Sequence, residues 1–220
     1  MPESPLRFYF DYVSPNAYLA WTQLPALADR HGVEVEPVPV LFAGLLEAHG
    51  RLGPAEVPVL MRWMWRNILR KAAVLGVPFN PPAFHPFNPL LALRVSSLSL
   101  HPSERSRLID ALFRAVWVRG LHVSEPEVVR SVADDAGLPG AELVARAGDA
   151  DAKAKLRAQT DEALARGVFG VPSMEVRGEI FWGYDDWPQL ARSLEGADPL
   201  DPDEWKKWTI PLPASAVRPR

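Results

Sequence analysis

An α/β fold interrupted by a long helical block is what the order of sequence periodicities predicts. Three observations carry this. The chain opens on a strand, a helix and a second strand; apolar residues then recur at helical spacing from about Phe42 to Gly167; after Gly167 two short strand patterns return, with a last helix behind them.

The first strand spans Leu6 to Asp11 and carries three successive aromatics, Phe8, Tyr9 and Phe10. It runs into Val13-Ser14-Pro15, a helix start: serine caps free N–H groups and proline tolerates the first helical position. The helix turns Ala17, Leu19, Ala20, Leu24, Leu27 and Ala28 inward and ends at His31-Gly32. Val33-Glu34-Val35-Glu36-Pro37-Val38 alternates apolar with acidic residues and contains a proline, as a strand near a sheet edge does.

In the helical block, Met61, Met64, Trp65, Ile68, Ala72 and Leu75 line one helix face that stops before Gly76. Asn88-Pro89 opens a helix over Leu90 to Leu100, and Leu108, Ile109, Leu112, Phe113, Val116 and Trp117 stripe another. Ser124-Glu125-Pro126-Glu127 reads as a capping box for a helix closed by Gly137. A short helix around Ala141 to Ala147 and a long one from Asp149 to Arg166 complete the block. Ser173 to Val176 and Glu179 to Trp182, joined at Arg177-Gly178, predict a hairpin, with a helix from about Asp185 to Leu194. The tail after Ala197, rich in Pro and Trp, reads as extended.

The 220 residues are 48% hydrophobic, and 24 Lys+Arg face 27 Asp+Glu for a formal charge of −3, which offers no basic surface of the kind nucleic acid requires. No apolar run reaches the ~18 residues of a membrane span. The N-terminus Met1-Pro2-Glu3-Ser4-Pro5 lacks a basic region followed by an apolar one, so the expected location is the cytoplasm, with no membrane partner. The chain contains 0 cysteines. That excludes a disulfide, a Cys-liganded metal, a Cys nucleophile and a dithiol redox pair. His31, His49, His85, His101 and His122 lack the short spacings of a metal site, and none is expected. No Gly-x-Ser-x-Gly elbow supports serine hydrolysis.

A β-α-β half and a β-β-α half around inserted helices resemble a thioredoxin-like fold of the DsbA type. There the active group sits where strand one meets helix one, opposite a cis-proline loop. Those places hold Phe10-Asp11-Tyr12-Val13-Ser14-Pro15-Asn16-Ala17-Tyr18-Leu19 and Gly167-Val168-Phe169-Gly170-Val171-Pro172-Ser173. With His85-Pro86-Phe87-Asn88-Pro89-Leu90-Leu91-Ala92-Leu93-Arg94 and Phe181-Trp182-Gly183-Tyr184-Asp185, the chain to about Leu194 resembles the 2-hydroxychromene-2-carboxylate isomerases and the related kappa-class glutathione transferases. The resemblance divides the chain into a thioredoxin-like part over 1–41, a helical insertion over 42–166, and a second thioredoxin-like part with tail over 167–220.

The resemblance implies glutathione as cofactor and a homodimer. Ser14 is then the catalytic residue: a hydroxyl at a helix N-terminus donates to an anion and lowers the pKa of a bound thiol. A cis Val171-Pro172 bond would leave the Val171 N–H and C=O facing Ser14, unpaired, for glutathione to bond as an added strand, with Tyr184, Asp185 and Arg51 completing its site. By itself Ser14 is also an ordinary N-cap, and Asp185 an ordinary cap of the last helix.

The chain departs from the family pattern in having Asn16 for an aromatic, Arg51 and Leu60 for Asn and Lys, and Asp186 for Arg. Arg51 and Arg62 are the cations at hand to replace the lysine. Arg62, Arg66 and Arg70 repeat every four residues, which fits a cationic wall or a solvated helix face. Trp63, Trp65, Phe84, Phe87 and Trp117 fit an aromatic pocket or a core. Asn88, Arg62 and Phe87 are the substrate-site expectations. The implied activity is glutathione-dependent cis-trans isomerisation of an aromatic 2-oxo acid by reversible thiolate addition. The alternatives are a kappa-like transferase or peroxidase, and a member that binds a small acid without catalysis.

Overall fold

In the computed structural model, which describes residues 5–209, a four-stranded sheet is covered on both faces by helices. Strands β1 (Leu6–Phe10), β2 (Val35–Pro39), β3 (Ser173–Val176) and β4 (Glu179–Trp182) lie in the order β2-β1-β3-β4. β1 pairs parallel with β2, Leu6 opposite Val35, and antiparallel with β3, Phe8 opposite Met174. β2 is an edge strand, which is why Pro37 and Pro39, lacking an N–H, are tolerated in it.

The strand period of two sorts the aromatics of β1 to opposite faces. Leu6, Phe8 and Phe10 join the large core cluster, whereas Tyr9 points to a smaller cluster with Val40, Leu45, Ala163, Val168 and Val171. Helix α1 (Pro15–His31) packs on the first face, with Trp21 against Phe8. Helices α2 (Phe42–Ala48) and α8 (Ala150–Ala165) supply Leu45 and Ala163 to the second. The remaining helices of the block are α3 (Pro58–Leu75), α4 (Leu90–Ser97), α5 (Pro102–Trp117), α6 (Pro126–Asp135) and α7 (Gly140–Ala147). They enclose Phe113, Trp117, Leu108, Leu112 and Leu143 in the same core as the sheet. Helix α9 (Trp187–Leu194) follows the hairpin.

Three local expectations are corrected. Helix α4 stops at Ser97, because Leu98 is extended, rather than running to Leu100. The capping box at Ser124-Glu125-Pro126-Glu127 does not form: Glu125 is the N-cap of α6 and makes no side-chain cap bond. A box forms instead on α5, where His101 accepts from the Ser103 N–H and Glu104 accepts from the His101 N–H. Finally, the tail is not extended throughout: α10 (Pro202–Trp208) is capped by Asp201, whose carboxylate accepts from the Asp203 and Glu204 N–H groups. Its acidic first turn and Lys206 and Lys207 in the last complement the helix dipole. Met1 to Ser4 and the tail from residue 210 lie outside the described residues.

Candidate active site

The loop between β1 and α1 is held at nearly every polar group. Asp11 is completely buried, and its two carboxylate oxygens accept from the Val13 N–H at 3.0 Å and the Phe42 N–H at 2.9 Å. Its carbonyl accepts from the Ser14 N–H. The Tyr12 carbonyl accepts from the Trp117 indole at 3.0 Å, and the Tyr12 hydroxyl lies 2.6 Å from that of Ser96. The Val13 carbonyl meets His85 Nε2 at 2.9 Å. A carbonyl can only accept, so Nε2 carries the proton and Nδ1, buried without a partner, is the bare nitrogen. Burial lowers the His85 pKa and keeps the ring neutral. Burial also pushes the Asp11 carboxyl up to about 7, against the pull of its two backbone donors.

Ser14 thus arrives at the N-terminus of α1 on a braced loop. It is the N-cap, accepting from the Ala17 N–H at 3.2 Å, and its hydroxyl donates to the Val171 carbonyl at 3.3 Å. The Val171-Pro172 bond is cis, as is His85-Pro86. The Val171 carbonyl is therefore engaged by Ser14 rather than unpaired as anticipated; its N–H has no partner among the described residues.

Lys71, which the sequence reading passed over, joins the next parts. Its ammonium donates to Asn16 at 3.2 Å and to the Asp185 carboxylate at 2.8 Å, and stands 5.9 Å from the centre of the Tyr184 ring. One cation from α3 thereby ties the start of α1 to the segment before α9. Asp185 is not the cap of that helix; Asp186 occupies the N-cap position and accepts from the Trp182 N–H. One oxygen of Asp185 remains without a bond, on a side chain that is 69% exposed. Beside Lys71 and Tyr184, a groove of about 360 Å³ is lined by Trp63, Asn67, Arg70 and Val74.

Arg51 lies on the other flank of the cis-proline loop, 6.0 Å from the centre of the Phe169 ring, which packs against Trp182. Leu60, Arg62, Arg66 and Arg70 are exposed along α3, and Arg62 has no ion pair among the described residues. Asn88 is exposed and accepts from the Leu90 N–H, a local turn at the start of α4. Phe87 is half-buried, 6.3 Å from His85 and 6.4 Å from Trp117 ring to ring. Trp117 is core, not pocket wall, and Trp65 packs between Phe79, His85 and Trp117. Ser14 is thus bonded to Val171, and the Lys71-Asp185-Tyr184 group is joined to them through Asn16 and through the Gly183 N–H, which donates to the Pro172 carbonyl. Among the described residues, no group of three or more His, Asp or Glu is placed to hold a metal ion.

The DSBA-like thioredoxin domain family model matches residues 5–195. The chain is 31% identical over 182 residues to the 2-hydroxychromene-2-carboxylate isomerase of Sphingobium xenophagum, covering 82% of this chain and 92% of that protein. It is 26% identical over 204 residues to glutathione S-transferase kappa 2 of Caenorhabditis elegans, covering 86% and 91%. The solved structure of a 2-hydroxychromene-2-carboxylate isomerase superposes with a TM-score of 0.81 at 25% identity, covering 88% of this chain and 95% of that one.

Proposed function

The chain belongs to the 2-hydroxychromene-2-carboxylate isomerase family of DSBA-like thioredoxin domains, and from that premise we propose that it is a glutathione-dependent isomerase of an aromatic 2-oxo acid. The observation that carries this is the Ser14 hydroxyl at the N-terminus of α1, in contact with the cis-proline loop, in a chain with 0 cysteines.

The residues present fit glutathione. The free Val171 N–H and the adjoining carbonyl offer the pair of bonds by which an extended peptide adds as a strand. The open oxygen of Asp185 suits the ammonium of a γ-glutamyl group, while the bond from Lys71 holds that carboxylate in place. Arg51, on the opposite flank, suits the glycyl carboxylate. When bound, glutathione supplies the thiolate that adds reversibly to the conjugated substrate, so that a double bond becomes single and can rotate.

Ser14 does the electrostatic work. Its hydroxyl exchanges the long bond to the Val171 carbonyl for a charge-assisted bond to the thiolate, which holds the thiol deprotonated. The positive end of the α1 dipole lies at the same point. Asp11, Trp117 and His85 act through the loop: with the Tyr12 and Val13 carbonyls bound, Ser14 cannot drift from this position as charge moves onto and off the substrate. Phe87 and the α3 groove beside Tyr184 are the apolar surfaces nearest these groups for an aromatic body.

Replacing Ser14 by alanine tests the reading. Loss of one charge-assisted hydrogen bond, worth ~1.5–3 kcal/mol, lowers turnover of 2-hydroxychromene-2-carboxylate by about tenfold to a hundredfold while circular dichroism stays native. An unchanged rate removes Ser14 from the chemistry. A kappa-like transferase is the second reading, favoured by the identity to the kappa 2 enzyme. Conjugation of a generic electrophile without isomerisation would select it.

A further inference from the structure

Away from Ser14, a cavity of about 450 Å³ opens between α2, α4 and α8. Three cations line it, Arg94 from α4 and Lys153 and Arg157 from α8, together with two carboxylates, Glu47 and Asp161. None of the five makes a side-chain hydrogen bond or an ion pair among the described residues. Arg7, Arg114, Arg130, Arg146 and Arg166, by contrast, are each matched to an acid. The Nε of Arg94 is shut off from solvent with no acceptor, an arrangement that leaves the desolvation of a charged donor uncompensated. The rest of the wall is apolar, with Leu41, Leu90, Leu156 and Leu164. Thr160 does not compete for a ligand: its hydroxyl already accepts from the Leu41 N–H and donates to the Leu156 carbonyl.

We propose that this cavity is a binding site for a small organic monocarboxylate, whose carboxylate pairs with Arg94 and whose apolar body lies on the four leucines. Three cations against two carboxylates leave the wall with one net positive charge, which matches a monoanion and not a dianion such as phosphate. The guanidinium presents donors in the fork that a carboxylate accepts, and the volume lies within the range of small-molecule sites. The site stands on its own residues and does not depend on the role given to Ser14. Its occupancy reaches the active loop by a short route, because Leu41 is bonded to Thr160 and the adjacent Phe42 N–H is bonded to Asp11.

Calorimetric titration of the full chain with benzoate tests the proposal, with inorganic phosphate as the comparison anion. Saturable benzoate binding is expected, with phosphate at least about tenfold weaker. Arg94→Met weakens benzoate binding about tenfold or more, as loss of a charge-assisted pair requires. Should that variant fail to fold, the exposed pair Lys153→Ala/Arg157→Ala carries the test, since neither side chain has a partner to lose. Amide shifts centred on Leu41 and Thr160 support the assignment. Absence of benzoate binding at millimolar concentration, binding unchanged in a folded variant, or phosphate binding the tighter overturns it.

Discussion

Ser14 carries a structural duty and, in the proposed function, a chemical one on the same oxygen, and substitution separates them. As N-cap it accepts from Ala17; as donor it faces Val171 and, in the proposed reaction, the thiolate. Alanine forfeits both, at about 1 kcal/mol for the cap, whereas glycine costs only a few tenths as an N-cap. Ser14→Gly and Ser14→Ala are expected to lose turnover alike while urea unfolding shows only the alanine variant clearly weakened. Equal stability in the two would mean that glycine has no advantage over alanine as the cap at this position. Asp11 makes a second residue-scale prediction. In the folded chain its carboxyl titrates at about 7 against 3.8 as the ordinary value, so the native state holds a proton that the unfolded state releases. At low pH the carboxyl is neutral in both states and costs nothing. Stability then falls as pH rises between these two values and levels off above the upper one, by on the order of 4 kcal/mol in all. His85, whose pKa is lowered, works in the opposite direction and is common to wild type and variant. Unfolding free energies of Asp11→Asn at about pH 5 and pH 8 are expected to lack the fall of the wild type; a wild-type-minus-variant difference that is flat with pH would show Asp11 ionised throughout.

At the scale of elements, proline placement explains a composition that is otherwise odd. Six of the ten α-helices among the described residues carry proline at one of their first two positions, so six of the 23 prolines serve as helix starts. That made the start of α1 legible from Ser14-Pro15, whereas α5 was read from its apolar stripe and α6 from a capping box that does not form. The same signal, Asp201-Pro202, stood before α10, where prolines nearby suggested an extended tail. Helix α7 was legible in its body but not in its beginning. It starts at Gly140, where an added Cβ would lie 2.2 Å from the Arg130 carbonyl oxygen and 2.8 Å from the Asp134 carboxylate. Backbone cannot swing aside as a side chain can, so Gly140→Ala must push α7 away from α6 and break the Gly140 N–H bond to Asp134. Thermal unfolding is expected to show a loss of about 2 kcal/mol or more. A variant as stable as wild type would mean that α7 re-seats without cost. What sequence could not supply at this scale was partnership. Lys71 sits on a helix whose period marks only its buried stripe, and nothing local says that its ammonium reaches Asn16 and Asp185, the latter 114 positions away.

At the scale of the molecule, the reactive loop is where the sheet and the inserted helices meet. Asp11 fastens it to α2, Trp117 to α5, Ser96 to α4 and His85 to the segment before α4, so the insertion is the frame of the site as well as its cover. The motifs marking that loop were readable in sequence, because serine, proline loop and hairpin follow in order; the clamp was not, because beside Asp11 it consists of side chains drawn from three distant segments. A chain with 0 cysteines must borrow any thiol it uses, and this makes the strongest whole-molecule prediction of the proposed function. Isomerisation of 2-hydroxychromene-2-carboxylate is expected to vanish after exhaustive dialysis and to return with glutathione, but not with dithiothreitol, which lacks the γ-glutamyl and glycyl ends that Asp185 and Arg51 would hold. Glutathione at about a hundred times its dissociation constant stabilises the fold by ~2.7 kcal/mol, raising Tm by about 5–10 °C for a chain of this size. S-methylglutathione, which keeps both ends and blocks the sulfur, should raise Tm nearly as far while restoring no turnover. Full activity without added thiol, or restored equally by any thiol, would show that the site activates something other than bound glutathione.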